Sequence, residues 1–281
     1  MNFREPRRHG GAPDYRRSQE RRESVEAPEG PAHAPRLILG QNPVREAIRA
    51  RAGSLAEILV ERDPNPRLES LSRFAADHAV LVKTVERAEL DRLARGARHQ
   101  GVAAWAAPIE LIEASALLGE PDFLALALDG VVDPQNFGAV VRSAVGVAGA
   151  AVVFPENAAA PLTPATFRAS AGAVEHARLC RVRSLSGFLE AARAEGARVV
   201  GLAPDATQDL DEIDLSGPTV LVIGSEESGM NRATRRACTD LVRLTSTGYV
   251  QSLNASVAAG IALYAAAQCR KRKAKTDSSS E

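Results

Sequence analysis

The sequence is short of the residues that several kinds of binding site require. Aromatic residues make up only 4% of the chain, so stacking on many aromatic side chains is not expected to be the main way of holding a ligand. The cysteines are odd in number, widely spaced and without a CxxC pair: Cys180, Cys238 and Cys269. The histidines do not fall at metal-ligand spacing either. We therefore expect a protein with reduced thiols and no structural metal.

Long apolar runs and nucleotide-binding glycine motifs are also missing. No apolar stretch approaches the roughly 20 residues of a transmembrane helix, and no apolar segment follows the basic N-terminal residues as it would in a secretory signal. We expect a cytoplasmic protein that does not bind a membrane. Neither GxGxxG nor GxxxxGK[ST] occurs, so a dinucleotide-dependent oxidoreductase has no support. The net charge of zero does not exclude nucleic acid, because local clusters create the binding field.

The chain of 281 residues is long enough for two domains. Residues 1–35, rich in Arg, Glu, Pro and Gly, are predicted to be a disordered tail. Residues 36–107 alternate short strands and helices, as in a small α/β domain, and 108–121 form a linker. Residues 122–269 alternate apolar strands with helices, which predicts a mostly parallel sheet covered on both faces. Residues 270–281 are predicted to be a basic disordered tail. Each tail is interpreted either as a contact to RNA phosphates or as a solvated end.

Several element boundaries follow from local signals. Asn42 is expected to cap a helix with Pro43 at its first position, and Asn136 is expected to cap a helix that begins at about Phe137. A strand is predicted at residues 79–82. The Ala-rich segment 254–268 predicts a helix that is apolar nearly all round, and such a helix is buried in the core or against a partner subunit.

Three loops follow predicted strands and are unusual in composition. The first is DGVVDPQNFG, residues 129–138, with Arg142 in the helix that follows it. The second is GSEESGM, residues 224–230, whose glycines allow tight turns. The third is STGYVQSLNAS, residues 246–256. The first and third loops have simpler interpretations, in which Arg142 faces solvent and Ser252 or Asn254 only caps the last helix, and the second loop alone is weak evidence.

Together, the strings DPQNFGAVVRSA, IGSEESGM and SLNASVAAGIALYAA resemble the three motifs of the SpoU (SPOUT-class) RNA ribose 2′-O-methyltransferases. Their order and spacing match that family over roughly residues 123–268. The region from LGQNPVREAI to RHQGVAAWAAP resembles the small RNA-binding domain of the branch that methylates a guanosine of 23S ribosomal RNA. The resemblance implies a C-terminal α/β trefoil-knot (SPOUT) methyltransferase domain, a ribosomal-protein-like α/β domain before it, S-adenosyl-L-methionine as cofactor, and a homodimer.

The resemblance also implies roles for particular residues. Those expected to hold S-adenosylmethionine are Gly224, Ser225, Gly229, Leu244 and Leu253. Those expected on the catalytic side are Asn136, Arg142, Glu226, Ser252 and Asn254, with Arg142 reaching the cofactor pocket of the other subunit. Those expected to contact RNA are Arg45, His99 and Gln100, with Arg49 and Arg51 as further phosphate contacts. A histidine that only orders a loop is the alternative for His99.

Two questions stay open at this point. Arg142 acts either as the base or as a group that binds phosphate and stabilises the developing alkoxide, and the second role is physically easier because a guanidinium is effectively always protonated. The substrate is most simply a guanosine of 23S ribosomal RNA. The alternatives are transfer RNA, another ribosomal nucleotide as in antibiotic resistance, or no reaction at all, in a silent RNA-binding protein of ribosome assembly. The intact catalytic motifs argue against the silent protein.

Overall fold

The computed structural model describes residues 36–157, 159, 162–245 and 252–278. The N-terminal tail expected over residues 1–35 lies outside the described residues. The first domain is built on a four-stranded mixed sheet in the order β1-β4-β2-β3. Its strands are β1 (Arg36–Leu39), β2 (Leu55–Glu61), β3 (Val82–Val85) and β4 (Val102–Ala106).

Three helices cover the two faces of this sheet: α1 (Gln41–Arg51), α2 (Pro66–Asp77) and α3 (Arg87–Ala94). One face packs its alternate apolar residues, such as Ile38 and Ile58, against α1 and α2. The other face packs Leu39, Leu59 and Ala103 against α3. Because side chains alternate between the faces of a strand, each strand contributes to both cores. The small α/β domain is confirmed.

The second domain contains a seven-stranded sheet in the order β7-β6-β5-β10-β8-β11-β9, in which every neighbouring pair is parallel. Its strands are β5 (Leu124–Asp129), β6 (Ala151–Pro155), β7 (Leu179–Val182), β8 (Arg198–Leu202), β9 (Gln208–Asp209), β10 (Thr219–Gly224) and β11 (Asp240–Arg243). The central strands β5 and β10 lie side by side and are buried along nearly their whole length. Continuous apolar sequences such as FLALAL and TVLVI therefore form strands covered on both faces, as predicted.

The described residues of this part of the chain form six α-helices: α4 (Ala114–Leu118), α5 (Pro134–Ser143), α6 (Pro164–Ala169), α7 (Leu185–Ala194), α8 (Arg232–Ala237) and α9 (Ala255–Ser278). One face of the sheet packs against α5, α6 and α9. The opposite face packs against α4, α7 and α8. A π-helical turn, Ala144–Ala148, continues α5 and contacts α9. The two parallel strands β5 and β10 thus end beside the first turns of α5 and α9, where the candidate site lies.

Several expected boundaries were wrong. Helix α1 begins at Gln41, after Gly40, so Asn42 lies inside its first turn and does not cap it. Helix α5 is capped by Asp133, whose carboxylate accepts from the amide of Asn136, and not by Asn136 itself. Strand β3 begins at Val82, where the strand predicted at residues 79–82 was expected to end. The strand β7 and the helix α8 were not predicted.

The last helix is longer than expected. It does not give way to a disordered tail at residue 270 but continues to Ser278. Lysine, arginine and alanine are good helix formers, and neither glycine nor proline follows Gly260 in the chain, so no stop signal interrupts the helix. The trefoil knot stays a prediction, because residues 246–251, which join β11 to the approach of α9, lie outside the described residues.

Candidate active site

Three loops that are far apart in sequence meet through hydrogen bonds to one carboxylate oxygen. Asn136 Nδ2, at the start of α5, donates to Glu226 Oε1 over 2.9 Å. Asn254 Nδ2 donates both to Asn136 Oδ1, over 3.0 Å, and to Glu226 Oε1. The amide of Ala255 donates to the same oxygen over 3.3 Å. We call Asn136, Glu226 and Asn254 the polar cluster. It brings together three of the five residues expected on the catalytic side.

The cluster leaves one acceptor of Glu226 available. All three hydrogen bonds that Glu226 receives from the described residues end on Oε1, and no described residue donates to Oε2. The side chain is exposed, so Oε2 is accessible to a ligand. A carboxylate oxygen in this position accepts a hydrogen bond from a hydroxyl or an amine.

Asn254 combines a structural and a site contact in one side chain. Its Oδ1 accepts from the backbone amides of Ser256 and Val257 at 2.9 and 3.3 Å, which caps the N-terminus of α9. Its Nδ2 faces Asn136 and Glu226. Capping therefore fixes the amide group in the orientation seen in the polar cluster, so the capping interpretation of Asn254 is compatible with the expected site role, which stays a prediction.

The second loop is a tight turn that only glycine allows at its start. Ser225 and Gly229 exchange two backbone hydrogen bonds of 3.1 and 3.0 Å, which folds the loop back on itself. A Cβ at Gly224 would lie 2.2 Å from the carbonyl carbon of Gly229 and 2.3 Å from the amide nitrogen of Met230. Any side chain there would push the loop away, so the absence of Cβ at Gly224 is what lets the turn close over the end of β10.

The end of this loop is held by a hydrogen-bonded pair, Asp129 and Asn231, that was not predicted from the sequence. Asp129, the last residue of β5, is 8% exposed and accepts two hydrogen bonds from Asn231, at 2.7 Å from its backbone and 2.8 Å from its side chain. Asn231 in turn caps α8 by accepting from the amide of Thr234. The sequence signal that could have identified Asp129 is a carboxylate at the end of an apolar strand, because ligand sites form at the carboxyl ends of parallel strands.

A cavity of about 790 Å³ opens beside the polar cluster at the carboxyl ends of β8, β10 and β11. It is lined by all five residues expected to hold the methyl donor and by Glu226 and Ser252. Its apolar lining includes Leu202, Ile223, Leu244, Leu253, Ala255 and Ala258. Polar backbone and apolar side chains in a cleft of this size are typical of sites for small cofactors.

Two ion pairs stand on the wall of the same cavity. Arg235 donates to both carboxylate oxygens of Asp205, at 3.0 and 2.8 Å, and Arg243 donates to Asp209 over 2.7 Å. The hydrogen bond from Arg235 holds the pKa of the Asp205 carboxyl below its usual value. Each pair presents one acidic and one basic group to the cavity without adding net charge to it.

Two of the expected catalytic residues, Ser252 and Arg142, lie outside the polar cluster; Ser252 lines the cavity, and Arg142 does not. Arg142 lies near the end of α5, is exposed, and makes no hydrogen bond or ion pair with the residues that the structure describes. It is therefore not a charge buried in an apolar helix, and the solvent-facing interpretation describes this single chain. Its guanidinium remains available to a group from outside the chain.

The expected RNA-binding residues of the first domain have contacts inside the protein. The ring of His99 is buried, with Nε2 2.9 Å from Asp91 Oδ1 and with Nδ1 accepting from the amide of Gly101 over 3.1 Å. Gln100 Oε1 accepts from the amide of Gln41 over 3.1 Å, at the start of α1. Both side chains order the loop, so the alternative proposed for His99 fits the geometry better than direct contact with RNA.

These residues line a polar hollow of about 500 Å³. Its wall carries three arginines, Arg67, Arg87 and Arg98. Arg87 pairs with Glu61, whereas Arg67 and Arg98 form no side-chain ion pair with any described residue. Arg45 does not line the hollow; its guanidinium lies 5.9 Å from the ring centre of Phe74. Sequence reasoning therefore found the loop but not the free arginines beside it.

The described ranges contain neither a metal-binding cluster nor a membrane-spanning helix. No group of three or more His, Cys, Asp or Glu side chains there could hold a metal ion. Among the helices that those ranges contain, none combines the length and apolar composition needed to cross a bilayer.

Family models match both domains of the chain. Residues 123–264 match the model of the SpoU rRNA Methylase family, and residues 37–111 match the model described as RNA 2′-O ribose methyltransferase substrate binding. An uncharacterized tRNA/rRNA methyltransferase of Mycolicibacterium smegmatis is 37% identical, covering 84% of this chain and 77% of the relative.

Solved structures with both domains are also similar. The SpoU methyltransferase AviRb from Streptomyces viridochromogenes, in complex with the cofactor AdoMet, superimposes with a TM-score of 0.69 and 26% identity, covering 84% of this chain and 90% of that one. A structure described as an RNA 2′-O ribose methyltransferase has the same TM-score with 30% identity, covering 84% and 88%. The chain has the substrate-binding and methyltransferase domains of this AdoMet-dependent group and belongs to the SpoU family of RNA methyltransferases.

Proposed function

We propose that this chain transfers a methyl group from S-adenosylmethionine to the ribose 2′-hydroxyl of a guanosine in 23S ribosomal RNA, acting as a homodimer. The observation that carries the proposal is the polar cluster, in which Asn136 and Asn254 fix Glu226 beside the cavity of about 790 Å³. No described residue donates to Glu226 Oε2, which supports a role for this oxygen in receiving a hydroxyl group beside a cofactor held in that cavity.

The residues that line the cavity fit the cofactor. The apolar side chains of Leu202, Ile223 and Leu244 suit a flat adenine ring, and the tight turn at Gly224 presents backbone groups to it. The pairs Asp205–Arg235 and Asp209–Arg243 offer a carboxylate and a guanidinium to the charged amino-acid end. When bound, the cofactor supplies a methyl group activated by a positively charged sulfur.

The protein's own contribution is to position the ribose and to handle its proton. Glu226 Oε2 accepts the hydrogen bond of the 2′-hydroxyl, directs the oxygen toward the cavity and takes up its proton as the methyl group is transferred, while Asn136 and Asn254 keep the carboxylate in place. Fixing two reactants in line contributes several kcal/mol to catalysis of such a displacement. Arg142 binds the neighbouring phosphate and stabilises the negative charge that develops on the oxygen, because a guanidinium is a poor proton acceptor.

A homodimer gives Arg142 a place to act. An exposed apolar strip runs along α9 through Val257, Ile261 and Tyr264, and the exposed Val147 of the π-helical turn belongs to the part of the chain that packs on α9. Exposed apolar patches of this kind mark protein interfaces. A second copy seated on this strip would bring the two copies' α5 and α9 helices together, so that Arg142 of one copy serves the cavity of its partner.

The first domain selects the RNA through the polar hollow. The guanidinium groups of Arg67 and Arg98 form no ion pair with any described residue and hold RNA phosphates, while Gln41 and Gln100 line the same hollow with amide groups. His99 acts indirectly, by fixing the loop on which Gln100 lies. The large-subunit RNA is favoured over transfer RNA because this domain accompanies the methyltransferase domain.

The substrate is tested with labelled S-adenosylmethionine and two unmodified transcripts, one of 23S ribosomal RNA and one of transfer RNA. We expect label in a single guanosine of the ribosomal transcript and none in the transfer RNA. Label in transfer RNA alone would keep the reaction and overturn the substrate. No label in either RNA, with the cofactor bound to a folded dimer, would favour the silent binding protein.

A further inference from the structure

The two domains are joined by an ion pair buried between them. Arg36, the first residue of β1, donates from its two terminal nitrogens to the two carboxylate oxygens of Glu175, both at 2.6 Å. The side chains are 10% and 0% exposed. Arg36 Nε donates to the carbonyl of Ala107 over 2.9 Å, and the guanidinium lies 5.2 Å from the ring centre of Phe167 in α6. A bidentate pair fixes direction as well as distance.

Helix α1 of the first domain docks on the same segment of the second domain. Arg51 Nε donates to the carbonyl of Glu175 over 3.0 Å, and His176 Nε2 lies 3.0 Å from Glu46 Oε2. Gly172, at φ +90°, approaches so closely that a Cβ there would lie 2.8 Å from the Cβ of Glu46. The backbone at Gly172 therefore packs directly against α1, with no space between them for a side chain.

The docked segment is in turn packed against the helix that carries Asn136 and Arg142. Where α5 crosses α6, a Cβ at Gly138 would lie 2.4 Å from the Cβ of Ala169 and 2.8 Å from the amide nitrogen of Ser170. Gly138 is two residues from Asn136 and four from Arg142 on α5. The first domain therefore contacts a short segment, residues 164–176, whose other side sets the position of the catalytic helix.

We propose that the Arg36–Glu175 pair is a positioning device for the RNA substrate: it locks the substrate-binding domain onto the segment that packs against α5, and so fixes the span between the RNA held by the first domain and the ribose presented at the polar cluster. The inference rests on the proposed function. Neither side chain touches the cavity, so both act through the domain arrangement rather than on the reacting atoms.

A buried ion pair can be tested by comparing the loss of one partner with the replacement of both. Removing one partner leaves an uncompensated buried charge, whereas replacing both by apolar residues of similar volume is often tolerated. Arg36→Met breaks the lock, and the double variant Arg36→Met/Glu175→Leu restores apolar packing under Phe167. Arg62→Met is the matched control, because Arg62 pairs with Glu86 on the surface of the first domain, with side chains 63% and 66% exposed.

The experiment measures the radius of gyration by small-angle X-ray scattering, the affinity for S-adenosylmethionine by calorimetry, and kcat/KM for methyl transfer to unmodified 23S ribosomal RNA. For Arg36→Met we expect a larger radius, an unchanged cofactor affinity, and a kcat/KM about 10- to 100-fold lower, since misplacement by about 1 Å far from the chemistry can cost that much. The double variant and Arg62→Met should match the wild type. If Arg36→Met does not fold, Arg36→Lys is measured in its place, because lysine keeps the charge but not the bidentate geometry.

An unchanged radius of gyration in Arg36→Met would contradict the claim that the Arg36–Glu175 pair holds the two domains together. A larger radius with unchanged kcat/KM would overturn its role in positioning, as would a failure of the double variant to recover. If the wild-type protein transferred no methyl group to any RNA, the proposed function would be contradicted, and the scattering comparison would still decide whether the pair holds the domains.

Discussion

Asn136 Nδ2 donates a 2.9 Å hydrogen bond to Glu226 Oε1, although 90 residues separate the two in sequence. The contact joins the loop after β5 to the loop after β10, and these two strands are neighbours whose last residues, Asp129 and Gly224, lie in register. The site is therefore a direct consequence of the strand order. A buried parallel pair brings its two carboxyl ends to one place, and the polar residues that follow meet there.

Glu226→Gln is expected to keep the role of Oε1 in the polar cluster and to remove the role of Oε2 as an acceptor. The amide oxygen still accepts from Asn136 and Asn254, but Oε2 becomes a donor that no longer accepts from a ribose hydroxyl. We expect kcat to fall about 100-fold or more, with cofactor affinity changed only slightly, as measured by single-turnover transfer and calorimetry. Glu195→Gln, after α7 on the opposite face of the sheet, is the matched control. A Glu226→Gln enzyme with the wild-type rate would remove Oε2 from the mechanism.

Gly224→Ala is expected to weaken cofactor binding before it affects the fold. The new Cβ would lie 2.2 Å from the carbonyl carbon of Gly229, so the turn must move away from the cavity. We expect the dissociation constant for S-adenosylmethionine to rise by about tenfold, equivalent to about 1.4 kcal/mol. Gly217→Ala, before the same strand, has open space for its Cβ and should bind like the wild type. Equal affinity of the two variants would show that the turn does not shape the cofactor site.

Ile261→Asp is expected to produce a monomer. Ile261 is 43% exposed in the single chain and lies in the apolar strip of α9, where a partner would bury it. Sedimentation velocity should show a dimer for the wild type and a monomer for the variant. Leu81→Asp, at an equally apolar exposed position of the first domain, should leave the dimer intact. Dimers in both variants would place the interface elsewhere.

A mixture of two inactive proteins is expected to recover activity if Arg142 serves the partner's cavity. In a heterodimer of Arg142→Ala with Glu226→Ala, one of the two sites combines an intact Glu226 with an intact Arg142 from the other copy. Half of the mixed molecules form this heterodimer if subunits exchange freely, so about a quarter of wild-type transfer should return. No recovery after confirmed exchange would mean that both residues act within the same chain.

Two thiols are expected to be slow to react: Cys180, which is buried, and Cys238, which is half-buried. Burial raises the pKa of Cys180 and of Cys238 from 9.0 to about 11, because a thiolate loses its hydration there. Since the thiolate is the nucleophile, only about 0.1% of each is reactive at pH 8, and the fraction grows as the pH rises toward 11. Labelling with iodoacetamide, followed by mass spectrometry, should modify both residues far faster in the unfolded chain. Fast labelling of either in the folded protein at pH 8 would contradict the burial.

Much of the fold and the content of the site follow from the sequence, but local geometry does not. FLALAL and TVLVI indicate buried strands because they are apolar at every position, and the motifs after them supply Asn136 and Glu226. The sequence predicted Asn136 as the cap of α5, whereas the structure has Asp133 there. Asn and Asp are equally good caps, so only the backbone conformation decides between the two positions. The Asp129–Asn231 pair depends on a contact between residues 102 positions apart, which no local pattern reveals.

The two elements that were not predicted, β7 and α8, both lack a strong apolar pattern. Strand β7 is short, contains Arg181 and lies at the edge of the sheet, so its sequence lacks the apolar run of a central strand. Helix α8 contains three arginines in six residues and is positioned by Asn231 rather than by a strong apolar stripe. The Arg36–Glu175 pair was not expected, because nothing in either local sequence shows that these two charges meet.

The most direct test of the central claim is the chemical position of the transferred methyl group. RNA labelled by the wild-type protein should be hydrolysed with alkali and the products identified by mass spectrometry, with Arg142→Ala and Glu226→Ala treated in parallel. The account predicts a methylated guanosine in an alkali-resistant dinucleotide, since a 2′-O-methyl group removes the hydroxyl that cleaves the chain, and loss of this product in both variants. Label on a base, in products fully cleaved by alkali, would contradict a ribose methyltransferase built on the polar cluster.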